Sequence, residues 1–216
     1  MNTTTTRLAI TAGAAAAAAA WWYTDRAPYP YAQHRILDLP LPGLSGDRLE
    51  RLLRPRADER MLEIGPGTGI QTVRIVPKLG PHGRLDVVDI QQEMLDHVHR
   101  RAAHLGRLVP TLADARELPF ADATFDAVYM VTALGEIDDP TAALREASRV
   151  LSPHGRLVIG EFFDRHWIPF GRLRDYAEAC HLHIDARVGP TMAYVARLHK
   201  CAANVHRACG PATPGF

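Results

Sequence analysis

Three glycines and two aspartates are the residues of this 216-residue chain whose types and spacing most directly suggest chemistry. The segment Met61-Leu-Glu-Ile-Gly65-Pro-Gly67-Thr-Gly69-Ile70-Gln71 runs an apolar stretch into alternating glycines. Glycine permits positive φ and lets a ligand approach the backbone closely. A phosphate-binding dinucleotide turn reads GxGxxG, and one started at Gly65 needs glycine where Ile70 stands. No Gly-Lys-Ser/Thr follows, so the run is not a Walker loop; the bland alternative is a tight strand-to-helix turn without a ligand. Twenty residues beyond Gly69, Asp89 closes the apolar run Leu85-Asp-Val-Val-Asp89, where a carboxylate can accept both hydrogen bonds from a ribose diol. Asp89 is equally placed to cap a helix beginning near Gln91, and Asp114, closing Pro110-Thr-Leu-Ala-Asp114, is either a second crevice acid or a loop residue.

These residues need strands to carry them and helices to cover the strands. The patterning predicts apolar strands over 61–64, 85–89, 109–113, 125–131 and 157–160, separated by helices over 71–79, 91–105 and 141–151. Met94, Leu95, Val98, Ala102 and Leu105 share one helical face. Buried strands alternating with helices imply a parallel sheet covered on both faces. After a helix over 172–180, the runs 182–188 and 192–198 are joined only by Gly189-Pro190-Thr191, a connection that suits antiparallel neighbours. The expected fold is α/β: a Rossmann-like, doubly wound, seven-stranded sheet, mostly parallel and ending in an antiparallel β-hairpin. The expected division is an alanine-rich segment over 1–26, a covering arm and short helix over 27–58, the main domain over 59–200 and a tail over 201–216.

Composition narrows the function. With 47% hydrophobic and 23% charged residues, the chain is of the globular type. A net charge of +1 carries no bulk footprint for nucleic acid, so no such partner is expected. Cys180, Cys201 and Cys209 are odd in number and widely spaced, which suits a reducing compartment better than a disulfide framework. Histidines are plentiful, yet no HExxH spacing occurs and His97 and His99 point to different helix faces, so no metal site is expected.

The uncharged stretch Leu8 to Tyr23, with seven consecutive alanines before Trp21, Trp22 and Tyr23, leaves three readings open: a cleaved leader, a membrane attachment with interfacial aromatics, or a plain helix or tail. As a helix it reaches only about 24 Å, short of the roughly 30 Å of a hydrocarbon core. The expected location is cytoplasmic, with membrane contact through residues 8–23 as the open variant. The 27–46 stretch, rich in proline but carrying Tyr29, Tyr31, Ile36 and Leu37, is expected to cover the domain.

Taken together, Glu63-Ile-Gly-Pro-Gly-Thr-Gly69, Val88-Asp89-Ile90 with Met94-Leu95, Ala113-Asp114-Ala115, Leu118-Pro-Phe120, Phe125-Asp-Ala-Val128 and Arg145-Glu-Ala-Ser-Arg-Val-Leu-Ser-Pro-His-Gly-Arg-Leu157 resemble class I S-adenosylmethionine-dependent methyltransferases, nearest in type to the ubiquinone/menaquinone-biosynthesis enzymes. The resemblance covers about Arg60 to Glu161 and not the first 44 residues. It implies that Gly65, Pro66, Gly67, Thr68 and Gly69 lie against the methionine part of S-adenosylmethionine, with Glu63 near its amino group. Asp89 would hold the ribose, Ile90 and Met94 flank the adenine, Asp114 and Ala115 meet the adenine edge, and Val131 and Thr132 complete the wall. Where relatives often carry histidine after the fourth strand, this chain reads Ala133-Leu-Gly-Glu136.

Methyl transfer from a sulfonium is an in-line displacement whose leaving group departs neutral, so positioning supplies much of the acceleration. A base matters only for an acceptor that arrives protonated. Glu136, Glu161, His166 and Tyr29 are the candidates, each with a structural alternative as loop charge, strand-end acceptor, surface histidine or packing residue. Tyr29, Tyr31, Phe162, Phe163, Trp167 and Phe170 are expected to make the acceptor pocket aromatic and mostly apolar. The expected acceptor is small and apolar, aromatic or lipid-like; the alternative is a protein that binds the cofactor without transferring its methyl. A nicotinamide-dependent oxidoreductase is disfavoured by Ile70.

Overall fold

The computed structural model describes residues 28–33 and 46–201; the alanine-rich stretch, the middle of the arm and the expected tail from 202 onward lie outside the described residues. After a 3₁₀ turn at Tyr31–Gln33 and helix α1 (Gly46–Leu53), strands and helices alternate: β1 (Arg60–Ile64), α2 (Thr72–Ile75), β2 (Arg84–Asp89), α3 (Gln92–Ala102), β3 (Leu108–Leu112), β4 (Phe125–Val131), α4 (Pro140–Val150), β5 (Leu151–Phe162), α5 (Phe170–Ala179), β6 (Leu182–Val188) and β7 (Ala193–Lys200). They form one seven-stranded sheet in the order β3-β2-β1-β4-β5-β7-β6. The first five strands are mutually parallel, and β7 inserts antiparallel between β5 and β6, as the short Gly189-Pro190-Thr191 connection requires. The chain leaves β1 toward β2 and β3, then returns to β4 on the other side, which opens a crevice at the carboxyl ends of β1 and β4.

Alternation along the strands feeds two cores. Leu62, Ile64, Val128, Met130, Leu157 and Ile159 face the layer of α4 and α5, packing with Leu144, Ala147 and Leu173. Met61, Ala127, Tyr129 and Val158 face the opposite layer, with Leu49, Leu53, Ile75 and Val98. Both faces of the central strands are dry, whereas the edge strand β3 buries only Leu108 and leaves Leu112 55% exposed.

Two expected elements differ. The helix expected over 71–79 is a single α turn followed by a 3₁₀ turn at Val76–Leu79, because Pro77 has no N–H to continue the ladder. The strand expected over 157–160 starts at Leu151, directly after α4. Leu151 pairs with Phe125 and pairing resumes at Ala127↔Arg156, so Ser152 to Gly155 bulge out of the ladder. Among the described residues, no helix is long and apolar enough to cross a membrane, and no group of three or more His, Cys, Asp or Glu side chains is arranged to hold a metal ion.

Candidate functional site

A cavity of about 810 Å³ occupies the crevice above β1 and β4, within the roughly 300–1,000 Å³ of small-molecule sites. Its floor is the glycine turn. Gly65 and Gly67 stand at φ +66° and +53° and both line the cavity, with the Gly65 N–H donating to Val88 O at 2.8 Å. A Cβ at Gly65 would strike the Ala133 Cβ at 2.5 Å, whereas a Cβ at Gly67 would meet nothing within 4 Å and would fill open space. Thr68 Oγ1 and Gln71 Oε1, both lining this end, are buried without a partner among the described residues. Gly69 is set apart: its N–H closes the turn on Pro66 O at 2.9 Å, and a Cβ there would press on Val98 at 3.3 Å. It packs the turn onto α3 and does not line the cavity, unlike the other residues expected to touch the cofactor.

Glu63 enters from β1, 3% exposed, with the Thr72 hydroxyl donating to its Oε2 at 2.5 Å. Burial pushes its carboxyl up to about 7, against the pull of the Thr72 and Tyr129 hydroxyls. Asp89 ends β2. Burial raises it to about 6, opposed by donation from the Gln91 and Ile90 backbone. Its Oδ1 accepts the Gln91 N–H at 2.9 Å, so it serves the start of α3 and faces the cavity at once. Ile90 beside it is 54% exposed, an apolar surface open to the cavity, with Met94 buried behind. Asp114 lines the far wall, but Arg116 holds both its oxygens, at 2.7 Å and 3.0 Å, and keeps its pKa below the usual range. Ala115, Val131 and Thr132 complete that wall.

The other end of the cavity gathers candidates from distant parts of the chain. The Tyr29 N–H donates to Glu136 Oε2 at 3.1 Å, His166 Nδ1 lies 3.8 Å from Glu136 Oε1, and the Tyr29 and His166 rings meet edge to face at 5.1 Å. The Arg165 guanidinium sits 4.7 Å above the Tyr29 ring. Gly135 makes this possible, since a Cβ there would collide with the His166 carbonyl. Burial raises Glu136 to about 8; the Tyr29 amide and Arg165 lower it, while Asp164 and Asp89 raise it further.

Tyr29 and Glu136 line the cavity; Glu161 and His166 stand behind its wall. Glu161, 2% exposed, accepts the Ile168 N–H at 3.2 Å, and burial raises its carboxyl well above the ordinary value. Its contacts are those of a group that anchors the loop carrying His166. The expected aromatic pocket is corrected: of its six aromatics only Tyr29 and Phe162 line the cavity. Phe163 and Trp167 stack on each other at 5.2 Å, Phe170 stacks on Tyr194 at 5.4 Å, and Tyr31 turns to His97 on α3. The acids Glu136, Asp138 and Asp164 take their place in the lining. Asp164, two residues past the end of β5, is a lining acid that went unread; its signal is an acid just beyond an apolar strand. Gln91 also went unread; its signal is a glutamine where a helix start favours serine or aspartate.

A parallel sheet with its cavity at the switch point, a bare glycine turn and a carboxylate ending β2 define the nucleoside-binding α/β class. Residues 62–159 match the family model described as a methyltransferase domain. The chain is 38% identical over 113 residues to the ubiquinone/menaquinone biosynthesis C-methyltransferase of Roseobacter denitrificans, covering 51% of this chain and 45% of that protein. It is 35% identical over 119 residues to the 27-O-demethylrifamycin SV methyltransferase of Amycolatopsis mediterranei, covering 54% and 43%. The chain thus spans under half the length of these two relatives. Among solved structures, a SAM-dependent methyltransferase from Aquifex aeolicus shares the fold with a TM-score of 0.71 and 17% identity, over 79% of this chain and 98% of that one. The [4+2]-cyclase SpnF shares it at 0.62 and 18%, over 83% and 85%.

The cavity fits S-adenosylmethionine. Gly67 leaves the space that a methionine moiety requires, the buried orphan oxygens Thr68 Oγ1 and Gln71 Oε1 can accept from an ammonium, and the free face of Asp89 can take a diol.

Proposed function

We propose that the protein transfers a methyl group from S-adenosylmethionine to a small apolar, aromatic or lipid-like acceptor by in-line displacement. The observation that carries this reading is the two-ended cavity: glycine turn, Glu63 and Asp89 at one end, and Tyr29, Glu136 and Phe162 at the other. Bound at the first end, S-adenosylmethionine supplies an electrophilic methyl on a sulfonium. Gly65, Pro66, Gly67 and Thr68 hold the methionine part, Asp89 the ribose, and Ile90, Met94, Asp114 and Ala115 the adenine, while Gly69 sets the turn from behind.

At the acceptor end, Glu136 is the base of choice. Its carboxyl, raised to about 8, is ionised above that pH, and its position on the cavity wall then lets it accept a proton from a phenol or hydroxyl. His166 lies 3.8 Å from it on a loop that Glu161 anchors, and Tyr29, which lines the cavity, donates its N–H to it. Phe162 supplies apolar contact. Relatives named for quinone biosynthesis and for a rifamycin agree with an apolar acceptor. The reading keeps 27–58 as a cover and 59–200 as the catalytic domain, with membrane contact through 8–23 as the open variant.

Calorimetric titration of the full chain with S-adenosylmethionine, S-adenosylhomocysteine and NAD tests the first half; micromolar binding of the first two and none of NAD is expected. Labelled methyl transfer across a panel of phenols, quinols and amines tests the second. Binding without transfer over the whole panel would favour a protein that uses the cofactor without methylating.

A further inference from the structure

We propose that Gln91 is a positioning residue that latches the 28–33 strap across the cavity, so that this one side chain governs access to the cofactor; the inference rests on the reading of the cavity given above. Gln91 occupies the N-cap position of α3 with extended backbone, φ −105° and ψ 112°, and its side chain makes no capping bond. Serine, threonine, aspartate and asparagine are favoured there because their short side chains reach back to the helix amides. The cap bond is supplied from upstream instead, by Asp89 Oδ1 on the Gln91 N–H.

The glutamine side chain is thereby free to point away from its helix, and both halves of its amide are used on the strap. Nε2 donates to Tyr29 O at 2.9 Å, and Oε1 accepts the Tyr31 N–H at 3.0 Å. A carboxamide sets a donor and an acceptor side by side in this way. It therefore pairs with the strap as a neighbouring β-strand would. Tyr29 N–H reaches the other way, to Glu136, so the strap is held from both sides of the cavity. Pro28 and Tyr29 line the cavity together with Asp89 and Gln91. The latch therefore stands in the wall of the cavity itself.

The test separates latching from folding by substituting the residue the helix itself would prefer. Gln91→Ser restores a favoured cap and removes the latch; Gln91→Glu keeps the shape but cannot donate to Tyr29 O. Three quantities are read on the full chain: thermal midpoint, amide hydrogen exchange at Tyr29 and Tyr31, and the dissociation rate of S-adenosylhomocysteine. For Gln91→Ser the expected result is a midpoint at or above that of the parent, exchange at Tyr31 at least tenfold faster, and dissociation at least fivefold faster. Gln91→Glu is expected to speed dissociation as well. Unchanged exchange with dissociation within twofold of the parent would overturn the proposal. A Gln91→Ser chain of lowered midpoint would assign Gln91 to the fold and overturn it too. Failure of S-adenosylhomocysteine to bind the parent chain would sink the cofactor reading alone, since the exchange difference is expected in the unliganded protein as well.

Discussion

The two rims of the sheet treat their acids in opposite ways. At the amino rim every buried carboxylate meets arginine. Arg156 grips Glu59 with two bonds, at 2.7 Å and 2.8 Å, and also binds the carbonyls of Leu53 and Arg54. Asp86, fully buried, lies between Arg60 and Arg84. At the carboxyl rim, Glu63 is met by hydroxyls and Asp89 by backbone amides. Glu136 is met by the Tyr29 amide, with two further acids within electrostatic range. The amino rim ties α1 and the strand starts together; the carboxyl rim leaves Glu63, Asp89 and Glu136 raised and facing a cavity, with Asp114, held by Arg116, the exception. Raised carboxyls in a cleft mark a place where a ligand completes the charge balance.

The comparison breaks first at Arg156. Arg156→Ala leaves Glu59 buried beside Leu53 without its partner and is expected to cost about 3 kcal/mol of stability, read by denaturant unfolding. Affinity of the folded chain for S-adenosylhomocysteine should stay within about twofold of the parent, because Arg156 is at the far rim. Asp89→Ala should do the reverse: affinity falls about a hundredfold, ~2.8 kcal/mol, against a smaller loss of stability, about 1 kcal/mol, for the bond to the Gln91 N–H at the start of α3. Unchanged affinity by calorimetry would remove Asp89 from the ribose.

Glu136 sharpens the contrast through pH. Transfer to a phenolic acceptor should rise as pH passes about 8, and in Glu136→Gln that limb should vanish with a loss of about tenfold or more at high pH. Stability runs the other way. Glu63 and Glu136 hold their protons up to about 7 and about 8, against an ordinary 4.5. The folded chain therefore binds more protons than the unfolded one between about 4.5 and about 8. The stabilisation they lend is complete below that window and is lost as pH rises through it. The unliganded protein should accordingly melt lower at pH 8.5 than at pH 5.5, with a shallower decline in Glu136→Gln. The smallest effect is on binding: as pH falls through about 6, Asp89 gains a proton and affinity for S-adenosylhomocysteine should weaken by a few fold, a trend that Asp89→Asn should flatten.

Gly65, Gly67 and Asp89 were legible because turn chemistry and strand-end position are local properties of a few consecutive residues. The parallel sheet and its terminal hairpin were legible for the same reason, from apolar runs of strand length and a connection too short for a crossover. The extent of the second helix was misjudged by one local feature, Pro77, whose missing N–H turns it to 3₁₀ geometry. Aromatic residues near the crevice were harder to place, because Phe162, Phe163, Trp167 and Phe170 are close in sequence yet face different neighbours once β5 ends.

The sequence by itself determined the class of fold, the glycine turn and the acid that ends β2, since each follows from backbone conformation and periodicity within a short window. Only the tertiary structure decided which groups meet across the cavity. Tyr29 and Glu136 are 107 residues apart, and Tyr31 and Gln91 are 60 apart. Their contacts, and the burial that lifts Glu136 to about 8, depend on the packing of separate elements and leave no periodic trace in the chain.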